Sequence, residues 1–268
     1  MLTSTLGAAL SSAILSAQIV IVSEQHGHAV HHERQVELIE RLSSDRKVSV
    51  GFEFFDLTQQ ASVDAFVEGA LPELEFLARV GWGKSPDFAL YRRQALHARS
   101  RWADGARTVA LNLPRAVSGK ISRDGIESLS AEERALIPAD FVRGGDLYRE
   151  RFAEAMGEHV SPEKLTRYFE AQSAWDEVMA TSALEFARNH PDQVLVILVG
   201  DFHAAYGGGL PARLVARGLP RERLHVVSQV DSTGLSAEER RALIEPHARY
   251  GARADSVWDA ATAASGNP

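Results

Sequence analysis

Five short runs of apolar, largely β-branched residues constrain the fold of this chain more than any other feature. They cover residues 19–23, 48–55, 108–112, 194–199 and 224–228. Runs of this length and composition are typical of strands that are buried on both faces of a parallel sheet. Parallel neighbours need long crossover connections, so we expect helices in the stretches between the runs.

Helical patterns do lie between these runs. Residues 32–42 are amphipathic, residues 165–189 form the longest pattern, and residues 88–102 carry one stripe that consists of Tyr91, Ala95, Ala98 and Trp102. The alternation predicts an α/β fold with a mostly parallel sheet, helices on both faces and right-handed crossovers. Glycines and a proline interrupt residues 118–160, which we predict to be a helical insertion or lid.

The chain has 268 residues and no Pro/Gly/Ser-rich linker in its middle. We therefore predict one domain over residues 1–268, with a frayed tail at about 260–268. Residues 6–22 are apolar or small, but they lack the positive start of an export signal and are diluted by serines. We expect a short helix before the first strand, no integral membrane segment and a cytoplasmic location.

The charge and composition exclude several classes of function. The chain has 29 basic and 36 acidic residues, a net charge of −7 and no basic block, so we expect no nucleic-acid partner. It has no cysteine, which excludes disulfides, thiolate metal sites, a cysteine nucleophile and lipid attachment through cysteine. It also lacks the GxGxxG, GxxxxGK[ST] and GxSxG motifs of dinucleotide, P-loop and serine-hydrolase sites.

Polar side chains follow the predicted strands at the points where the strands end. The set consists of Glu24, His26, Glu53, Asn112 and His203. Ligands of open parallel sheets bind in a crevice beyond the carboxyl ends of the strands, so we expect these five residues to lie together. Glu53 lies inside an apolar run, where an unpaired carboxylate would be costly, and this predicts a histidine or a cation beside it.

Two further motifs point to the same crevice. Four imidazoles lie between His26 and His32, a density that suggests a metal or proton-handling site, although two of the four could simply line a solvated loop. Gln172 and Asp176 share a helix face with apolar residues and therefore need polar partners, either as a buttress or as ligand contacts. The three glycines at 207–209 could admit an anionic ligand or form a flexible turn.

Taken in order, these motifs resemble the ChaN-like haem-binding proteins, a bacterial group associated with iron uptake. The resemblance spans roughly residues 18–219 and rests on VSEQH at 22–26, HHxxQ at 31–35, GFEFF at 51–55, ALNLPR at 110–115, QxxWDxxMA at 172–180, GDFH at 200–203 and GGGLP at 207–211. The wider superfamily resembles erythromycin esterases and Tiki/TraB metalloprotease-like proteins, through Glu24/His26 and Gly200/His203. Family members usually have glycine at the position of Ser23, and many are exported lipoproteins, so the resemblance implies the periplasm or cell envelope as the alternative location.

The resemblance implies a haem-binding protein linked to iron uptake, with non-covalent haem in the crevice at the strand ends. The candidate iron ligands are His203 and Tyr206, followed by His26 and His32. Arg115 is the candidate for the haem propionates, and the amide and acidic contacts would come from Asn112, Gln172 and Asp176. An open slot between two copies of the chain would make the protein a homodimer.

The alternative is a hydrolase. Glu24, His26, Glu53 and His203 could bind Zn²⁺, Mn²⁺ or Fe²⁺ with an open position for water. Glu24 and His203 would be ligands, and Glu53 or His26 would act as the general base. A metal-free variant has His26 activating water with support from Glu53. The substrate would be another small molecule.

Overall fold

One parallel sheet of six strands runs through the part of the chain that the computed structural model describes, residues 11–84, 86–157 and 159–261. The strands are β1 (Ile19–Glu24), β2 (Lys47–Asp56), β3 (Thr108–Asn112), β4 (Gln193–Gly200), β5 (Leu224–Val230) and β6 (Ser256–Asp259). Their spatial order is β3-β2-β4-β1-β5-β6, and every neighbouring pair is parallel. The predicted α/β fold with a parallel sheet is confirmed, and each of the five predicted strands lies within an observed one.

Twelve α-helices lie in the described residues. They are α1 (Ser12–Ser16), α2 (Ala29–Leu42), α3 (Gln60–Glu68), α4 (Glu73–Arg79), α5 (Arg92–Ala95), α6 (Arg115–Asp124), α7 (Ala131–Arg134), α8 (Asp146–Met156), α9 (Pro162–Asn189), α10 (Asp201–Ala204), α11 (Leu210–Ala216) and α12 (Ala237–Ile244). None of the described helices is both long enough and apolar enough to cross a membrane. The predicted short helix before the first strand is α1, while residues 1–10 and most of the predicted frayed tail, 262–268, lie outside the described part.

The central strands are buried on both sides, which explains their continuous apolar sequences. Along β1, Val20 and Val22 join one core cluster, while Ile19 and Ile21 join the other. β4 alternates in the same way, and all of its residues are buried. Helices therefore cover both faces of the sheet, and the polar residues that follow the strands are free to face the crevice at the sheet edge.

Two local expectations differ from the structure. Residues 88–102 do not form one helix: Phe88–Leu90 and His97–Asp104 are 3₁₀ helices on either side of α5. The carbonyl of Ala95 accepts from the Thr108 hydroxyl at 2.7 Å, and the Arg99 amide bonds instead to the carbonyl of Leu96. β6 was not predicted, because this four-residue edge strand pairs only with β5 and has no apolar run.

The segment 118–160 contains the end of α6, the short helix α7 and helix α8, joined by turns and irregular stretches, and it packs on α9. Val117 and Ile121 of α6 contact Ala174 and Val178 of α9. On the next part of the segment, α8 places Tyr148 and Phe152 against Phe169 of α9. The segment thus covers one face of the long helix and brings α8 to the carboxyl end of β4.

An aromatic cluster around Phe76 of α4 supports one side of the crevice. The Phe76 side chain is fully buried, with its ring stacked on Phe66 at 4.2 Å and 5.5 Å from Phe55.

We expect Phe76→Ala to lower the free energy of unfolding by about 3–5 kcal/mol, because it leaves a cavity among packed rings. Leu74→Ala on the same helix is the matched control, since Leu74 is 85% exposed and its loss should change stability by no more than about 0.5 kcal/mol. Urea unfolding of the two variants measures both values. Equal losses in the two variants would contradict this description of the cluster.

Candidate functional site

A crevice of about 640 Å³ lies beyond the carboxyl ends of the first strands. Its lining includes His26, Glu53, Asn112 and Arg115, together with the aromatic residues Phe54, Trp82 and Trp175. Glu24 and His203 lie directly behind this lining, in contact with His26 and Glu53 respectively. The structure thus brings together the five polar residues that follow the strands.

Glu24 is buried and anchors one half of the site. Its Oε1 accepts from the Tyr91 hydroxyl at 2.6 Å and lies 2.9 Å from His26 Nδ1, while its Oε2 accepts from Gln35 Nε2 at 2.6 Å. Burial lowers the pKa of His26, but the bond to Glu24 and the charge of Glu53 outweigh burial and raise it. The bond at Nδ1 leaves Nε2 of the half-exposed His26 ring as the free nitrogen at the crevice.

The four clustered imidazoles have different surroundings. His32 is buried behind Glu24, with Nδ1 3.2 Å from Gln35 Oε1, and burial lowers its pKa. His28 and His31 stack on each other at 4.0 Å on the far side of α2. Burial and the neighbouring His28 lower the pKa of His31 to about 4. Of the four, only His26 lines the crevice.

His203 lies between two carboxylates. Its Nδ1 is 2.7 Å from Asp176 Oδ1, and its Nε2 is 3.4 Å from Glu53 Oε1. Burial alone would lower the pKa of His203, but the charges of Glu53 and Asp176 raise it well above 6.5. Burial likewise works against the charged form of Glu53, but His203 lowers the pKa of this carboxyl to about 2. Glu53 therefore has the histidine partner that its position requires, and the two carboxylates favour the imidazolium form of His203.

Tyr148 of α8 completes this buried network and was missed by the sequence reasoning. Its hydroxyl donates to Asp176 Oδ2 at 2.8 Å and accepts from Gln172 Nε2 at 3.1 Å. Tyr148 also explains Gly208, where a Cβ would lie 2.9 Å from Tyr148 Cβ, whereas a Cβ at Gly209 would lie 2.4 Å from the carbonyl oxygen of His203 and 3.0 Å from the Tyr148 hydroxyl. The available signal was the glycine run itself, which marks a close approach, but the approaching groups are Tyr148 and the backbone of His203.

Asn112 and Arg115 lie on the rim of the crevice. Asn112 fixes the backbone there, since its Nδ2 donates to the carbonyl of Glu53 at 2.8 Å and its Oδ1 accepts from the Leu113 amide at 2.8 Å. The Arg115 side chain is exposed and forms no hydrogen bond or ion pair with any described residue, while the backbone carbonyl of Arg115 accepts from the Ser118 hydroxyl at 3.1 Å. It is therefore a free cation beside the crevice.

Tyr206 lies in a second pocket, of about 510 Å³, with Pro211, Val215, Leu224 and Arg253 among its lining. With φ 61° and ψ 14°, Tyr206 is the one described residue other than glycine in the left-handed region. Such backbone strain persists only where the surroundings enforce it. Here the Tyr206 amide donates to the carbonyl of Arg253 at 2.7 Å.

Charged groups surround the Tyr206 ring. Arg253 Nη1 lies 3.4 Å from the hydroxyl, and the Arg151 guanidinium lies 5.4 Å from the ring centre. Arg253 is paired with Asp201, which also accepts from the hydroxyls of Ser23 at 2.6 Å and Ser228 at 2.7 Å. Ser23 thus positions the Asp201 carboxylate, which pairs with Arg253. The sequence patterns did not point to Arg151 or Arg253.

The arrangement does not provide a ready metal centre. Within residues 11–84, 86–157 and 159–261, no three or more His, Asp or Glu side chains are grouped so that they could hold a metal ion. Glu24, His26, Glu53 and His203 are neighbours, but most of their polar atoms bond to each other or to buried groups.

We expect His203 to remain protonated throughout neutral pH. A raised pKa means that protonated His203 contributes stability that is fully present below pH 6.5 and is lost as the pH rises from there through the raised pKa. In Asp176→Asn one carboxylate is gone, so the pKa of His203 should fall, and the loss should be smaller and complete at lower pH than in the unsubstituted protein.

Histidine NMR titration and urea unfolding of both proteins measure these changes. His31 is the internal control, because it should stay neutral above its lowered pKa in both proteins. If His203 of the unsubstituted protein titrates near pH 6.5, the description of the network is wrong.

Known structures are similar to this chain to different degrees. ChaN of Campylobacter jejuni, described with cofacially bound haem, has 18% sequence identity and a TM-score of 0.61 over 81% of this chain and 82% of that one. A mutant of the erythromycin esterase EreC in its open conformation has 14% identity and a TM-score of 0.49 over 83% and 72% of the two chains. The type III effector HopBA1 has 14% identity and a TM-score of 0.49 over 90% and 87%.

No curated protein sequence matches this chain. A family model does: the model described as haem-binding uptake, Tiki superfamily, ChaN matches residues 10–214. That range runs from before β1 into α11. It includes every candidate site residue that was predicted from the sequence and lines one of the two pockets. The chain therefore belongs to the haem-binding uptake family of the Tiki superfamily, the family of ChaN.

Proposed function

We propose that this protein binds haem as cargo for iron uptake, with Tyr206 as the ligand of the iron. The family description and the haem-bound ChaN structure support haem as the ligand. The observation that carries the choice of residue is the strained backbone of Tyr206 beside an open pocket. The homodimer, the absence of a nucleic-acid partner and the cellular location stay predictions.

The other candidate ligands are less suited to iron. Both nitrogens of His203 face carboxylates that favour its protonated form, in which neither nitrogen has a lone pair to give. His32 is 2% exposed and lies behind Glu24. His26 has a free nitrogen, but it lies in the crevice and not in the pocket of Tyr206.

The pocket of Tyr206 has the features that a porphyrin requires. Its volume lies within the range of about 300–1,000 Å³ that is usual for small-molecule sites, and alanine, valine, proline and leucine side chains form much of its lining. Arg151 and Arg253 place positive charge beside the phenol, which favours an anionic oxygen as ligand. Tyrosine is an established haem ligand in proteins.

The propionates would bind at the arginines of this pocket. Arg221 lines it and is more than half exposed in its ion pair with Asp255. Such surface pairs contribute little, about 0–1 kcal/mol, so Arg221 can exchange its partner for a propionate. Arg115 lies at the other pocket, where it cannot take this role for haem bound at Tyr206.

We expect hemin added to the purified protein to give a saturable, shifted Soret band. Tyr206→Phe should weaken binding at least about tenfold, which corresponds to ~1.4 kcal/mol, whereas His26→Ala should leave it unchanged. Tyr168→Phe is the matched control, because Tyr168 packs with the cluster of α8 and α9. Absence of a shifted band would contradict haem binding, and loss of binding only in His26→Ala would place the haem in the crevice.

A second candidate function is metal-free hydrolysis in the crevice. The specific observation is that buried Glu24 holds His26 Nδ1 while Nε2 faces the crevice. An imidazole oriented in this way can take a proton from water as it attacks an ester, and the carboxylate stabilises the imidazolium that forms. Glu53 adds negative charge beside the same ring.

We expect slow hydrolysis of nitrophenyl esters that is lost in His26→Ala, by roughly a hundredfold or more for a general base. Tyr206→Phe should retain the activity, because Tyr206 lies in the other pocket. EDTA should not change the rate. Turnover that survives in His26→Ala would refute this role, and loss of turnover with EDTA would indicate the metal-dependent reaction instead.

A further inference from the structure

The crevice has one aromatic wall from each face of the sheet. Phe54 and Trp82, whose ring centres lie 5.2 Å apart, belong to the core cluster on one face. Trp175 on α9 belongs to the clusters on the other face. The part of the crevice between these walls, here called the slot, offers aromatic surface from two sides, which favours a flat aromatic ligand.

The inner end of this slot carries the reactive group. The His26 ring meets the edge of Phe54 at 4.8 Å, so the imidazole continues the first aromatic wall. A Cβ built on Gly200 would lie 2.8 Å from His26 Nε2 and 3.4 Å from Glu53 Oε2. These distances place the free imidazole nitrogen and the Glu53 carboxylate at a common point at the end of β4.

The outer end of the slot carries an unpaired cation. Arg115 lines the crevice and has no carboxylate partner among the described residues. Asp56, which also lines the crevice, accepts through its Oδ1 from the amide and hydroxyl of Thr58 at 2.9 and 2.5 Å and forms no ion pair with Arg115. Glu53 is paired with His203. Arg115 is thus available to a negatively charged group of a ligand.

We propose that the crevice binds a flat aromatic molecule that carries a carboxylate, with its ring between Trp82 and Trp175 and its carboxylate on Arg115. This inference names the ligand class for the second candidate function and rests on it only for turnover. A guanidinium recognises a carboxylate by two parallel hydrogen bonds, which a neutral amide of the same shape does not offer. Binding should therefore discriminate between the acid and its amide.

The test compares 2-naphthoate with 2-naphthamide, by calorimetry and by quenching of tryptophan fluorescence. We expect the acid to bind at least about tenfold more tightly than the amide, as one charge-assisted contact at a partly exposed site allows. Arg115→Gln should remove this preference without weakening the amide, and Arg115→Lys should retain part of it. A merely structural role of Arg115 would lower both affinities equally.

Two exposed positions provide controls. Arg123→Gln replaces an exposed cation on the same helix, and this variant should bind both probes like the unsubstituted protein. Leu74→Ala, at an exposed position of α4, should also change neither affinity. The inference is overturned if the protein binds neither probe, binds both equally, or keeps its preference in Arg115→Gln.

Hydrolysis is measured separately, so that the two proposals can fail independently. Mono-nitrophenyl esters of aromatic dicarboxylic acids are compared with their neutral methyl-ester analogues. We expect kcat/KM to be higher for the acidic ester than for the neutral one, because its KM is lower. Arg115→Gln should remove this difference in KM. Binding of naphthoate without turnover of any ester would contradict the hydrolase and leave the ligand class supported.

Discussion

The pairing of the buried His203 side chain with two carboxylates is the interaction on which the arrangement of the site depends. His203 joins Asp176 of α9 to Glu53 of β2, and it belongs to the segment that directly follows β4. A charge buried between two opposite charges is costly to break from either side, because the remaining groups stay buried without a partner. The network therefore fixes how the end of β4 lies against the long helix. Ala204 and Tyr206 of the residues after β4 line one pocket, and Glu53 and Trp175, which contact His203, line the crevice, so the shapes of both depend on this network.

The two pockets differ in the chemistry that they offer. The crevice presents a neutral or protonated imidazole, a paired carboxylate and aromatic walls, which suits a reaction or a flat acidic ligand. The other pocket presents a phenol held in a strained backbone beside two guanidinium groups, Arg151 and Arg253. Strain at one position and positive charge around it favour an oxygen ligand for iron. Assigning haem to Tyr206 leaves the crevice free for a second role.

The sheet could be predicted because buried parallel strands have continuous apolar sequences, which is a local pattern. The position of the crevice could be predicted because ligands of open parallel sheets bind beyond the carboxyl ends of the strands. The joint position of Glu24, Glu53 and His203 follows from the same rule. The direction of each side chain could not be predicted, since it depends on partners distant in sequence. Tyr148 on α8 occupies the space beside the glycines, and its approach depends on how α8 packs on α9. The separation of Tyr206 from His203, three residues earlier, likewise depends on a left-handed residue that local propensity disfavours.

Resonance Raman spectroscopy of the hemin complex tests the proposal that Tyr206 is the ligand of the iron. We expect vibrations of an iron-bound tyrosinate that disappear in Tyr206→Phe and persist in His26→Ala. A spectrum typical of histidine ligation, unchanged in Tyr206→Phe and lost in His26→Ala, would contradict it.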